Sequence, residues 1–484
     1  MAIEVTYVFI ISAGTFTAWS TWNTNYDLEA EGFRAGHLYI PVAPSPELLA
    51  KPNPYDWGNS SLWFWDASLY KGHYYLYWGP LPALALLAAK VALRIHVPVG
   101  DQYPLFASYT LFLVAGALLI DRMTRRLFPR LPRSLALLGV ATFAYAMPTP
   151  YMVATPGIYE AAIAAAQALL LLGLLFAFDA VWAEAGPPAR WRLLAAGAAW
   201  GAAVACRVTA VLPAGAFVLL TALLLAPRGE RRWRRALADA AWVGGPVAVW
   251  LAGLAAYDKA RFDSWFEVGL KYQLNTLPLV SSRAYLPFNI FSYLLRPVGT
   301  SCRFPFVSAL YDIGARGFPA GVHLPPGYWS HEPQAGLFVT APFAALSLVA
   351  AVFVGRRLVG WWRAGRRAFA LDRRRRAELW CLASFAALAL LMPLPFIAAF
   401  DTTMRYLGDF ATGTVLLAVW GAWSLLDAAR VGWPRRAVCA LLIGLAAVTI
   451  GIGILLGFSG YDEMFKQHNR PLYDLLRHRL SFCG

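Results

Sequence analysis

Charge is scarce in this sequence, and what there is leans one way. Only 14% of the 484 residues are charged, and 27 acidic residues face 42 lysines and arginines, for a formal net charge of +15. A soluble globular domain carries about a quarter charged residues, so the composition excludes that class. Cysteine is nearly absent, with five residues and no paired spacing of the kind that builds a zinc site. Also missing are the Walker P-loop, H-E-x-x-H and G-x-S-x-G, and no Asp-x-Asp pair stands on a cytoplasmic domain to hold a metal and a sugar nucleotide. Nucleotide hydrolysis, zinc proteolysis and a nucleotide-sugar donor lose their usual carriers.

What is abundant is apolar. Hydrophobic residues make up 59% of the chain, in repeated windows long enough to cross a hydrocarbon core of about 30 Å as helices. The expectation is an all-α polytopic membrane protein, a single integral domain over 1–484. The basic residues fall in short blocks between apolar windows, Arg122 to Arg133, Arg228 to Arg235, Arg356 to Arg376 and Arg430 to Arg436. That pattern reports topology and not a nucleic-acid surface. All four blocks are cytoplasmic if the N-terminus is cytoplasmic and eleven spans run near 5–22, 103–120, 134–150, 158–182, 191–207, 209–226, 235–257, 335–355, 378–398, 406–427 and 436–458. The C-terminus then lies outside an inner, plasma-type membrane. The first stretch has an acidic n-region and no small-residue cleavage site before Asn23, so it reads as a retained anchor. Gly197-x-x-x-Gly201 and Gly451, Gly453 and Gly457 lie inside spans and read as helix-packing positions.

This layout leaves a first outer loop over 23–102, a second over 258–334 and an outer tail over 459–484. Cys302 and Cys483 share the outer side and are able to pair in an oxidising compartment. Within the first loop, 79–97 is apolar, but as a span it would put the Arg122 block outside. Leu84, Leu87, Val91 and Ile95 recur at helical spacing, with Lys90 and Arg94 one turn apart, which predicts an interfacial amphipathic helix. The loop also carries Trp57, Trp63, Trp65, Tyr70, Tyr74, Tyr75, Tyr77 and Trp78. Such density suits a membrane-interface belt, and a carbohydrate-stacking surface has the same composition.

Ionisable residues at the outer ends of spans form the candidate site. Asp27 follows the first span, Glu160 opens the fourth, Arg207 closes the fifth and Arg405 opens the tenth. Lys90 and Arg94 join them from the interfacial helix. Carboxylates and cations at lipid depth suit a phosphate-bearing lipid. Each cation also fits a snorkelling anchor, and Asp27 and Glu160 also fit charges at helix starts. His323, His331 and Glu332 could join Asp66 around a divalent ion, but no compact spacing requires one, so no metal site is assigned and any cofactor is left unknown.

At these positions the chain resembles the GT-C superfamily of membrane glycosyltransferases, which includes protein O-mannosyltransferases and the lipid A aminoarabinose transferase. The resemblance rests on the order of Tyr26-Asp27 at the start of a long first loop, Asp66-Ala-Ser-Leu-Tyr-Lys-Gly-His-Tyr-Tyr before Gly79-Pro-Leu-Pro, Arg207, Tyr257-Asp-Lys-Ala-Arg261-Phe-Asp-Ser, Arg405-Tyr406-Leu-Gly-Asp409-Phe and Gly460-Tyr461. It implies transfer of a sugar from a polyprenyl-phosphate donor to a lipid, glycan or protein acceptor at the extracytoplasmic face, with inversion. It also implies Asp27 as general base, Glu160 beside it, and Arg207, Arg405, Lys90 and Arg94 on the donor. A transporter or flippase of a lipid-linked glycan, or a polysaccharide polymerase or ligase, is the alternative. The layout further predicts that Asp27, Glu160 and Arg207 line one cavity beneath the 79–97 helix.

Overall fold

The computed structural model describes residues 1–146, 148–183, 190–225, 232–275, 280–311, 318–326, 328, 332–364, 372–461 and 463–483. Among them, seven helices are long and apolar enough to cross a bilayer: Gln102–Leu127, Ile158–Trp182, Val208–Leu225, Ala236–Phe262, Arg373–Ile397, Met404–Ala428 and Trp433–Ser459. Each overlaps one of the expected spans. Ile158–Trp182 and Met404–Ala428 form the middle of the bundle, with 78% and 89% of their apolar windows buried, whereas Ala236–Phe262 and Trp433–Ser459 bury only 11% and 22% and lie at its rim. A helix apolar all round, as Ile158–Trp182 is, belongs inside.

The other four expected spans differ, and the reasons are local. The helix over 5–22 is only Ala2–Ile11, because the chain turns at Ser12 to Gly14, where Ala13 and Gly14 have φ of 48° and 80°. Ten residues rise about 15 Å, half a hydrocarbon core. The 134–150 segment stops at Tyr145 and restarts as Thr149–Val153 after Pro148, since proline resists continuation of a preceding helix. The 335–355 segment is broken at Pro342 and becomes regular only from Ser347 to Ala364. Arg190–Val204 forms over the 191–207 stretch with 15 residues. Its Gly197 lies against the Ala236–Phe262 helix so closely that a Cβ would stand 1.9 Å from the Val243 carbonyl oxygen, the close packing that small residues permit.

Arginines gather at one end of the bundle. Asp179, near the end of Ile158–Trp182, accepts from Arg122 and from Arg126 at 2.8 Å, and Arg374 donates to the Leu127 carbonyl. Two of the described basic blocks therefore meet there. The first loop lies at the opposite end. It contains the helix Asn25–Arg34, a hairpin pairing Ser68–Tyr70 with His73–Tyr75, and the helix Leu81–Leu93 packed on Asn25–Arg34. The hairpin turns at Lys71 and Gly72, both at positive φ, as tight two-residue hairpins require.

The Leu81–Leu93 helix exposes Leu84, Val91 and Leu93, but Lys90 and Arg94 do not share an exposed face as expected. Lys90 is buried against Asn25–Arg34, while Arg94 ends the helix in the left-handed region and faces outward. The C-terminal segment carries Met464–His468 and Arg470–Leu480 and is tied to the second loop by a Cys302–Cys483 disulfide.

Candidate functional site

The end of the first loop is docked on the end of Arg190–Val204. Gly79 N–H donates to the Cys206 carbonyl at 3.3 Å and Leu81 N–H to the Ala205 carbonyl at 3.1 Å. A Cβ at position 79 would come within 2.0 Å of the Ala205 oxygen, so only glycine admits this approach. Arg207 follows directly. Its Nη2 donates to Asp409 Oδ2 at 2.7 Å, and its Nε stands 2.7 Å from Asp409 Oδ1. The guanidinium lies over the rings of Phe396 and Tyr406, which stack on each other at 4.4 Å. The Asp409 side chain is fully buried and that of Arg207 is 10% exposed.

Arg405 completes a second pair. Its Nη2 is 2.7 Å from Glu332 Oε1, and its guanidinium sits 4.2 Å from the centre of the Tyr159 ring. Tyr159 is held edge-on by Trp78, which stacks on Tyr77. Asp66 faces this group. It accepts a hydrogen bond from Gln273 Nε2 at 3.3 Å and one from Tyr159, and Arg405 and Glu332 act on it electrostatically. Burial raises its pKa above the ordinary aspartate value, with Tyr159 and Arg405 opposing. Its backbone is left-handed, φ 64°, a conformation that costs free energy for a residue with a Cβ. Asp401, on the same side, is pushed up to about 8 by burial and the Glu332 charge, and its Oδ1 is buried without a hydrogen-bond partner.

Glu160 occupies the first turn of Ile158–Trp182, behind Gly157. Its carboxylate folds back onto its own backbone N–H and feels Arg405, Glu332 and Arg207. A carboxylate at a helix start accepts from free amides, so the structural role foreseen for this residue coexists with its place beside both arginines. Glu160, Arg207 and Arg405 therefore share one electrostatic neighbourhood.

Asp27 is placed differently. It is buried with its Oδ1 2.6 Å from Lys90 Nζ, and Glu31 Oε1 lies 2.7 Å from the same nitrogen. Lys90 is thus spent on joining two loop helices, and Arg94 stands apart on the surface. Asp27 connects to the arginines only indirectly. Asp101, which caps Asn25–Arg34 by accepting the N–H groups of Asn25 and Tyr26 at 3.2 Å each, feels both Asp27 and Glu160. Burial drives Asp101 up to about 8 despite those two bonds. Burial likewise drives Glu29 up to about 8, against the pull of Arg261 and a hydrogen bond from Tyr257 at 2.9 Å. Arg261 in turn donates to Asp258 at 2.7 Å and to the Leu76 carbonyl, and so pins the first loop to the end of Ala236–Phe262.

Asp66 enters the sequence reading only as a possible metal ligand, and Asp101 and Asp409 are not among its candidate site residues. Asp409 carried a signal, because Arg405 and Asp409 are four apart at a helix start and share a face. Asp66 carried one too, as the acid opening the hairpin that leads to Gly79. The Tyr26 and Tyr151 hydroxyls and Trp78 Nε1 are buried around the cluster without partners. Tyr26 feels Arg207, and Tyr151 feels Glu332 and Glu160. Among the described residues no group of three or more His, Cys, Asp or Glu is disposed to hold a metal. His323 is exposed, and His331 lies outside the described residues.

No family model matches the chain, and no curated protein matches it. Solved structures do. The oligosaccharyltransferase of Archaeoglobus fulgidus in its apo form superposes with a TM-score of 0.50 at 14% identity, over 95% of this chain and 56% of that one. The oligosaccharyltransferase AglB of the same organism, in complex with an inhibitory peptide and a dolichol-phosphate, gives a TM-score of 0.46 at 12% identity, over 95% and 55%. ArnT from Cupriavidus metallidurans bound to undecaprenyl phosphate gives 0.43 at 12% identity, over 97% and 77%. The chain spans little more than half the length of the oligosaccharyltransferase, and at these identities the likeness is one of fold.

Proposed function

We propose that this chain, which has the fold of the GT-C membrane glycosyltransferases, transfers a sugar from a polyprenyl-phosphate donor to an acceptor hydroxyl at the extracytoplasmic face of the membrane. The observation that carries the reading is the convergence of Arg207, Arg405, Glu160 and Asp66 at the end of the bundle that bears the long first loop. In the reaction, a carboxylate takes the proton of the acceptor hydroxyl as its oxygen bonds to the anomeric carbon. The bond from that carbon to the phosphate oxygen breaks, its electron pair stays on the phosphate, and the configuration inverts. A phosphate leaves without needing a proton, so one carboxylate and fixed cations suffice. Guanidinium groups suit this task because they stay charged in an apolar setting and contact two oxygens at once.

Asp66 is our choice of base over Asp27. Its raised pKa strengthens it as a proton acceptor, its backbone is held in an unfavourable conformation beside Arg405, and no lysine neutralises it. Asp27 has given its carboxylate to Lys90. Transfer should be assayed in proteoliposomes with a panel of polyprenyl-phosphate sugars and Asp66→Asn, Asp27→Asn and Arg207→Ala. Asp66→Asn is expected to lose transfer and keep donor binding, and Arg207→Ala to lose donor binding. Unaltered transfer by Asp66→Asn refutes the assignment of the base; lipid flipping with no transfer from any donor refutes the reaction.

A further inference from the structure

Asp66 is preceded by an aromatic assembly that the reaction above does not use. Trp57, Trp63 and Trp65 pack edge to face in a closed triangle, with ring centres 6.1, 5.8 and 5.5 Å apart. Trp63 is its buried foundation, and its Nε1 donates to the Pro54 carbonyl at 2.8 Å. Trp57 and Trp65 are 58% and 49% exposed. The segment that bears Trp57 is a short helical turn over Trp57–Leu62, capped by Asp56, whose carboxylate accepts from Gly58 N–H at 2.8 Å. Asn59 donates to the Asn53 carbonyl at 3.0 Å and closes the loop on itself. Two open indole faces are thus fixed in place before any ligand arrives, which lowers the entropic cost of binding.

The charge of the surroundings selects among ligands. A tryptophan belt resting on a membrane surface is accompanied by lysine and arginine, which reach phosphate headgroups. Residues 53–65 hold no lysine or arginine, and instead the Asp56 carboxylate, with Asn53 ahead of Trp57 and Asn59, Ser60 and Ser61 between Trp57 and Trp63 in sequence. An anionic headgroup finds no cation on that rim. A neutral pyranose needs none, since it offers an apolar C–H face to an indole and hydroxyls to amides, hydroxyls and carboxylates.

We infer that Trp57 and Trp65 form a platform for a neutral glycan, which makes a saccharide the acceptor class for the site at Asp66. The inference rests on the proposed transferase reading, but its binding test does not depend on turnover. The full chain in phosphatidylcholine nanodiscs is titrated with neutral gluco-, manno- and galacto-hexasaccharides, and contact is read by saturation-transfer difference NMR. At least one of them is expected to bind, with affinity falling about tenfold in Trp57→Ala and in Trp65→Ala and returning in Trp57→Tyr. Thermal unfolding of each variant at the wild-type midpoint certifies its fold. In discs of brominated lipid, Trp57→Phe should show fractional quenching no lower than wild type, because the Trp57 indole stands clear of the acyl chains. Failure of every oligosaccharide to bind, equal binding by the alanine variants, or preferential quenching of Trp57 by brominated lipid overturns the platform. Undecaprenyl phosphate, titrated in the same discs, keeps the two readings apart. Lipid binding without glycan binding removes the platform alone; glycan binding without lipid binding upholds the platform and removes the donor.

Discussion

The Lys90 ammonium decides whether Asp27 is a structural or a reacting group. Lys90 and Asp27 have side chains only 4% and 6% exposed, whereas Glu31, the second partner of Lys90, is 33% exposed. Removing the cation by Lys90→Met leaves the Asp27 carboxylate buried with no counter-ion, and breaking a buried pair from one side costs about 3–5 kcal/mol. Removing the anion by Asp27→Asn is milder, because Glu31 still neutralises Lys90; a cost of roughly half that, about 2 kcal/mol, is expected. Glu31→Gln removes a partly hydrated partner and should cost about 1 kcal/mol or less. Replacing both buried partners, Asp27→Leu with Lys90→Met, removes the desolvation problem and should recover much of the loss, with a coupling of about 1–3 kcal/mol in the double-mutant cycle. Unfolding free energies from graded SDS titration in mixed micelles measure all four together with the single variant Asp27→Leu that closes the cycle, and transfer per folded molecule is measured in parallel. The ordering Lys90→Met, Asp27→Asn, Glu31→Gln is the prediction. A double variant as unstable as Lys90→Met would refute the buried-pair reasoning. A fully stable Asp27→Asn with no transfer would return the base to Asp27.

Two further outcomes follow from the first loop. Glu29 has its folded pKa raised to about 8 from an ordinary value of 4.5, so between those values the unfolded chain releases a proton that the folded chain keeps, and stability falls as pH rises through that window. Glu29→Gln should flatten this part of the profile of unfolding midpoint against pH, and an unchanged slope counts against a protonated Glu29. Gly79→Ala forces a methyl group to within 2.0 Å of the Ala205 oxygen, so the loop must lift from the end of Arg190–Val204; loss of both donor binding and stability is expected, and wild-type binding of a radiolabelled polyprenyl phosphate would contradict it.

The sequence made the long helices legible because burial in lipid demands unbroken apolar windows, and Ile158–Trp182 begins and ends where hydropathy places it. It was misleading where small residues and prolines interrupt a window without making it polar, at Ser12 to Gly14, Pro148 and Pro342. The site was legible in part for a related reason. Which ionisable residues stand at span ends follows from the hydropathy pattern, which places Glu160, Arg207 and Arg405 there. Which of them pair does not follow, because a pair is a tertiary choice: Asp27 and Lys90 are 63 residues apart, and Arg207 and Asp409 are 202 apart. The sequence offers Lys90 as a donor-binding cation or a snorkelling anchor, and Asp27 as a base, because neither partner of the pair is visible from the other's position.

Pairing also decides how a phosphate would be held. Arg207 and Arg405 are each matched by one carboxylate, Asp409 and Glu332, so the two pairs present little net charge to an approaching donor. Their availability comes from the shape of guanidinium instead. Its five donors are arranged in a plane, and Asp409 accepts a hydrogen bond from one Nη of Arg207 and lies 2.7 Å from its Nε, while aromatic faces fix the plane itself. The remaining donors keep their direction without any of the reorganisation that a free lysine would need. On this reading Arg207→Lys is more damaging than its conserved charge suggests, since an ammonium satisfied by Asp409 has no second edge to offer. A charge-only view predicts equal donor affinity for the two, and equal affinity in a polyprenyl-phosphate titration would reject the bidentate account in favour of it.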